Sequence, residues 1–415
     1  MTAAFKEVPH LGLVPTDWKA GKVSDLVGSL DSGVSVNGED RPASTGEITV
    51  LKISAVSYGV FKKNAAKVVI PEDVARVSEP VLKGHLIVSR CNTPDLVGAS
   101  ALVREDCPKT YLPDKLWQLK PRSGVKYSTK WLSHLLQLPT LRHRLSSQAT
   151  GTSDSMKNIT QDDLLALRIP IPSFSEQQEI SRILEHWETA SLYLENLLKA
   201  SRKRRQGLMQ QLLTGKRRFP GFTKPWRKRT IGDVAEASSV RNNGRLGSES
   251  VRAVNKAEGM IPMKEHVMAD DLSRYLIVKN HWFAYNPMRI NIGSICQWLG
   301  QEDALVSPDY VVFRCRDEAI DHRYFNAFRR SDAWSSFMDT AGAGGVRIRI
   351  YFDDLAQLPI PLPELDEQRR IADLFDIVDR EIELLERLLS AFRTQKKGLM
   401  QQLLTGKRRV KVQAA

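Results

Sequence analysis

The residue sets that most often carry catalysis are absent from this 415-residue chain at the spacing catalysis needs. A phosphate-gripping loop requires GxxxxGK[ST], but Gly215-Lys216 and Gly406-Lys407 are each followed by Arg, with no glycine five residues before. An amino-methyltransferase would carry an Asx-Pro-Pro-aromatic run to hold a flipped base, and Asn286-Pro287-Met288-Arg289 lacks the second proline and the aromatic. The Pro-Asp pairs at Asp95, Asp114 and Asp309 have no (D/E)-x-Lys following them, so a metal-dependent nuclease set is not formed. The histidines are scattered and supply no base for a nucleophile. Cys91, Cys107, Cys296 and Cys315 form no CxxC pair, so no zinc site is expected and a reducing cytoplasm is. The expected chain is non-catalytic and needs no metal or cofactor of its own.

What does recur is the vocabulary of DNA contact. Arg and Lys bind phosphates, Arg reads guanine, and Asn or Gln can read adenine. In the first half the candidates are Lys62, Lys63, Arg90, Asn92, Thr152, Ser153, Lys157 and Asn158. In the second they are Arg241, Asn242, Asn243, Arg245, Arg289, Asn291, Arg347 and Arg349. Gly151-Thr-Ser-Asp154 and Gly342-Ala-Gly-Gly345 occupy equivalent places in the two halves, and their glycines would let backbone approach a phosphate. The net charge of +13 favours a polyanionic partner, with a merely basic soluble protein as the plain alternative.

The elements that must position these residues come from an internal repeat. Gly207-Leu-Met-Gln-Gln-Leu-Leu-Thr-Gly-Lys-Arg-Arg218 recurs unchanged at 398–409, an offset of 191 that also superposes Ile169-Pro-Ile-Pro172 on Ile360-Pro-Leu-Pro363 and Glu176-Gln177 on Glu367-Gln368. The starts of the halves align at 208, Trp18 with Trp226 and Asp25 with Asp233. Two copies of so long a unit are no solenoid. They predict a duplicated two-domain protein: a mixed α/β head over 1–172, a long helix over 173–218, a second head over 219–363, a second helix over 364–409 and a tail over 410–415.

Each helix is expected to start at an N-cap, Ser175 or Asp366, and to stop at a left-handed glycine, Gly215 or Gly406. About 40 residues at 1.5 Å give a rod of roughly 60 Å. Its apolar seam reads Ile180, Ile183, Trp187, Ala190, Leu194, Leu197 and Leu208 in one copy, and Ile371, Leu374, Val378, Leu385, Leu388, Phe392 and Leu399 in the other. So narrow a seam requires a partner helix. Residues 199–218 hold eight bases and no acid, and 390–409 hold six bases and no acid, whereas the first halves of both helices are acidic. Only antiparallel pairing sets acid against base along the whole length. Gly207 and Gly398, inside the helices, permit a close crossing or a kink, with a tolerated weak point as the plain alternative. Neither a secretory leader nor a membrane span is expected.

With these residues in view, the whole chain resembles the specificity subunit of type I restriction-modification enzymes. The carrying motifs are Gly207 to Arg218 with Phe219-Pro-Gly-Phe222 behind it, the copy at 398–409 without that extension, and the entry into each helix, Ile-Pro-Ile-Pro…Glu-Gln-Gln in the first copy and Ile-Pro-Leu-Pro…Glu-Gln-Arg in the second. The resemblance implies two target-recognition domains on an antiparallel coiled coil, each reading half of a bipartite double-stranded DNA target while the helices set the spacer. It implies two methyltransferase subunits that bring S-adenosylmethionine, and restriction/motor subunits that use ATP and Mg. A self-sufficient methyltransferase or nuclease and a scaffold that never touches DNA are the rival readings.

Overall fold

The computed structural model describes residues 4–153, 156–256, 258–341 and 349–411. Arg347, Asp154 and the Gly342–Gly345 run therefore lie outside the described residues. The chain divides into two compact units, 1–193 with 389–415, and 194–388. Each unit holds one head and one half of each long helix.

In the first unit, a four-stranded sheet, with runs of consecutively buried residues in its first three strands, is built in the order Ser100–Leu102, Leu86–Ser89, Leu116–Pro121 and Val27–Ser32. A second four-stranded sheet is ordered Thr110–Tyr111, Thr49–Leu51, Ala66–Val69 and Gly38–Glu39, with its first pair parallel. The helix Thr129–Leu136 is capped by the Ser128 hydroxyl, which accepts from the Trp131 N–H at 3.2 Å. It buries Trp131, Leu132 and Leu135 in a core shared with Leu86, Val88 and Trp117.

In the second unit the main sheet runs Ala235–Ser238, Val311–Cys315, Phe283–Tyr285 and Ile295–Gln297, all antiparallel. Its core is aromatic: Phe283 lies 5.1 Å from Phe313 and 5.0 Å from Phe325, ring centre to ring centre. The helix His322–Phe328 is capped by Asp321, whose carboxylate accepts from the Arg323 and Tyr324 N–H groups.

The long helices are Phe174–Leu212 and Leu365–Leu404, 39 and 40 residues. They start earlier than the sequence suggests. Ser173 caps the first, its hydroxyl taking the Glu176 N–H at 3.3 Å and its carbonyl taking the Gln177 N–H, and Glu364 precedes the second; Ser175 and Asp366 lie inside. Pro170 and Pro361 belong to strands Arg168–Ile171 and Pro359–Leu362, and Pro172 and Pro363 lie in the short connection from each strand to its helix. Gly215 and Gly406 take φ of +70° and +73°, as left-handed stops require. A Cβ on Gly207 or Gly398 would meet nothing within 4 Å, which removes the close crossing.

Candidate nucleic-acid interface and helix pair

The helices pack the same way in both units. In the first, Ile180, Ile183 and Leu184 share a core with Leu399, Leu403 and Leu404, and Trp187 lies 5.0 Å from Phe392. In the second, Ile371, Leu374 and Phe375 share one with Leu208, Met209 and Leu212. Val378 and Leu194 are buried and Leu385 is half-buried, as a seam demands. Leu197 and Leu388 are not in it: they are 37% and 43% exposed, while Leu198 and Leu389 beside them are 7% and 6%. The true seam steps through Leu184, Ser191, Leu198, Arg205 and Leu212 on its second row. Serine and arginine interrupt that row in the first copy, so a reading restricted to apolar residues slides one position there; in the second copy the row reads Phe375, Ile382, Leu389, Lys396 and Leu403, broken only by the lysine.

Charge pairing follows the antiparallel order inside each unit. Lys396 donates to Glu188 at 2.9 Å in the first. In the second, Arg205 pairs with Asp379, Arg204 and Ser201 bond to Glu381, and Arg202 reaches Glu386 at 2.6 Å. Arg205–Asp379 and Lys396–Glu188 are the same bridge, related by 191. Glu188 also accepts from Arg104 at 2.8 Å, and Asp379 from Arg330 at 2.8 Å, so one carboxylate ties each head to both helices. Beside Glu188, the ring of His134 is 1% exposed, with Nδ1 3.7 Å from the carboxylate; burial pulls its pKa down to about 4, against the pull of Glu188.

The repeated Glu-Gln pair is a clasp. Glu176, 3% exposed, accepts from Arg409 at 2.7 and 3.0 Å and from the Trp18 indole at 2.9 Å. Glu367, fully buried, accepts from Arg218 at 2.9 and 2.7 Å and from the Trp226 indole at 3.0 Å. Each arginine also lies over its tryptophan ring, 5.6 Å and 5.9 Å from the centre. Arg409 holds the Asp17 carboxyl below its usual range through two further hydrogen bonds. The neighbouring Gln177 and Gln368 accept from the backbone N–H of Ser128 and Asp321, both at 2.9 Å, and so fix each head's cap residue. The last arginine of the repeated motif is thus a structural ligand, not only a complement to the helix dipole.

The first head gathers most of its candidates on one small sheet, Cys91–Asn92, Met156–Asn158 and Thr150–Ser153, which carries Asn92, Lys157, Asn158, Thr152 and Ser153, with Arg90 one residue before it. Asn92 must be corrected: it is 9% exposed, and its amide donates to Ser89 and accepts from the Thr93 N–H. Arg90 is half-buried, 5.9 Å from the Trp117 ring centre, and Lys157 bonds to the Gly151 carbonyl at 3.0 Å. Lys62 is exposed on a separate hairpin, and Lys63 beside it is held by the Asp106 carbonyl.

In the second head, Asn242 is also corrected. It is fully buried; its amide donates to the Leu246 and Leu272 carbonyls and accepts from the Leu246 N–H. It folds the loop that leaves Arg241, Asn243 and Arg245 exposed. Arg289 and Asn291 are exposed on a second turn, and the Ile350 N–H bonds to Pro287 at 3.1 Å, bringing exposed Arg349 to the same place. Among the described residues no group of His, Cys, Asp or Glu is arranged to hold a metal ion, and no helix is long and apolar enough to cross a membrane.

The type I restriction modification DNA specificity domain matches the chain twice, over residues 15–201 and 223–391. The chain belongs to the type I restriction-modification DNA specificity family. It is 24% identical to the putative type I restriction enzyme MjaX specificity subunit of Methanocaldococcus jannaschii, across 98% of this chain and 97% of that one. It is 25% identical to the MjaVIII specificity subunit of the same organism, over 64% of this chain and 68% of that one. Its fold matches the crystal structure of the type I S subunit from M. genitalium with a TM-score of 0.60 at 15% identity, covering 97% and 99% of the two chains. As a specificity chain, its two matched segments each begin in a head and run into a long helix, so the family unit is the repeat itself. The clasp was hidden from sequence reading because Glu176 and Arg409 stand 233 residues apart. Its one available signal was that Trp18, Glu176 and Arg218 each recur in the second copy.

Proposed function

We propose that each head reads one half of a bipartite, asymmetric duplex target, and that the paired helices fix the spacer between the halves. The observation that carries this is the contrast between constant and variable parts: a repeated helix with a repeated clasp, carrying heads that share few residues. A duplicated frame with divergent readers suits two different half-sites. Exposed Arg241, Asn243, Arg245, Arg289 and Arg349 in one head, and Lys62 with the strands Thr150–Ser153 and Met156–Asn158 in the other, supply the phosphate and base contacts.

The chain is a non-catalytic assembly subunit. Two copies of one methyltransferase subunit dock on the two equivalent helix surfaces and bring S-adenosylmethionine for adenine methylation; restriction/motor subunits that use ATP and Mg join for cleavage, in the cytoplasm. Replacing residues 1–172 by the first head of another family member tests this. Modified-base sequencing of the host DNA is expected to show one half-site changed and the other kept. Two changed half-sites, or none, would contradict it, as would methylation by the purified chain alone.

A further inference from the structure

The strands Val56–Ser57 and Val60–Phe61 of the first head form a hairpin with Tyr58 and Gly59 at its tip. The tip is held from several sides. The Gly59 N–H donates to the Ser100 carbonyl at 3.0 Å. Gly59 has φ +74°, a left-handed conformation in which a side chain would be strained. The Tyr58 hydroxyl donates to the Asp95 carbonyl. The Arg142 guanidinium lies 4.8 Å from the Tyr58 ring centre, and its Nη2 donates to the same carbonyl at 2.6 Å.

Arg142 is 8% exposed, and its Nε and Nη1 have no hydrogen-bond partner in the described protein. Tyr58 is nonetheless 53% exposed and Val60 51%. A buried cation held against a surface ring does little for the core. It does fix the ring in one orientation, at a guanidinium's desolvation cost. Exposed Lys62 follows on the same hairpin.

We propose that Tyr58 is a stacking platform for a nucleobase at an opened step of the first head's half-site, with Arg142 as its positioning residue and Lys62 on the adjacent phosphate. This rests on the DNA-reading function above. An aromatic face is a sequence-tolerant partner for a base, and a ring already immobilised loses little entropy on binding. A neighbouring aliphatic such as Val60 is the kind of side chain that wedges a base step apart.

The test uses the full chain assembled with its methyltransferase subunits, on duplexes carrying its methylated target with 2-aminopurine placed in turn along the first half-site, away from the methylated adenine. Wild-type complex is expected to change the fluorescence at one position. Tyr58→Phe retains that change, whereas Tyr58→Leu and Tyr58→Ala abolish it and weaken target binding by roughly 5- to 150-fold. Unaltered thermal melting of the variants separates this from misfolding, because Tyr58 is exposed. Tyr58→Ala and Tyr58→Leu binding as tightly as wild type, or losing the methyltransferase subunits while DNA affinity holds, overturns the proposal. A wild-type complex with no preference for any duplex would instead overturn the DNA-reading function itself.

Discussion

Removing Arg409 should cost far more than removing an ordinary helix-pair arginine. Glu176 is 3% exposed and has three hydrogen bonds, two from Arg409 and one from Trp18. Arg409→Met takes away two of them and leaves a buried carboxylate on a single indole N–H. Stripping one partner from a buried pair typically costs about 3–5 kcal/mol. The Arg409 side chain is 32% exposed, so solvent softens the loss to about 2–4 kcal/mol. Glu176→Gln keeps an acceptor for Trp18 but removes the charge, so the double variant should lose less than the two single losses combined, with a coupling of about 2 kcal/mol. The pair Arg202–Glu386, 59% and 47% exposed, is the internal control, and its coupling should stay below about 1 kcal/mol. Hydrogen–deuterium exchange in residues 174–193 and 389–411, with urea titration followed in parallel, reports the loss where it occurs. Coupling no larger at Arg409–Glu176 than at Arg202–Glu386 would refute the clasp.

Two further outcomes follow from the same contacts. Burial depresses His134 to about 4 from an ordinary 6.5, so the unfolded chain takes up a proton before the native one does. The stability this site contributes is therefore full above pH 6.5 and falls by about 3 kcal/mol as pH drops toward 4. His134→Leu should flatten that slope in urea titrations across the range, and an unchanged slope would assign it to other groups. Leu198→Ala should destabilise by about 2–5 kcal/mol and Leu197→Ala by under about 1 kcal/mol, because only the first is in the seam; equal melting-temperature losses would contradict the register.

The frame could be read from sequence because its signals are local or duplicated. Periodic apolar residues, a glycine stop and a 191-residue repeat need no tertiary information, and the long helices with their antiparallel polarity follow from them. What depends on distant partners could not. Glu176 looks like an acid suited to a helix start, and nothing nearby reveals Arg409 and Trp18 closing over it. Leu197 looks like seam because Ser191 and Arg205 disguise the row that contains Leu198. Asn92 and Asn242 have the residue type of a base reader, yet each spends its amide on its own loop. Residue type alone does not tell an asparagine that faces a ligand from one that builds the loop. Tyr58 went unnoticed because its support, Arg142, is 84 residues away in sequence.

The central claim is that the paired helices measure the distance between two half-sites. Deleting the equivalent heptads 191–197 and 382–388 keeps the seam in register and shortens both helices by about 10 Å, a limit of about three base pairs at 3.4 Å each. The deleted chain, assembled with its methyltransferase subunits and checked for native helix content, is then scored by modified-base sequencing. A shorter spacer between two unchanged half-sites is the predicted result. An unchanged spacer, or altered half-sites, would contradict it.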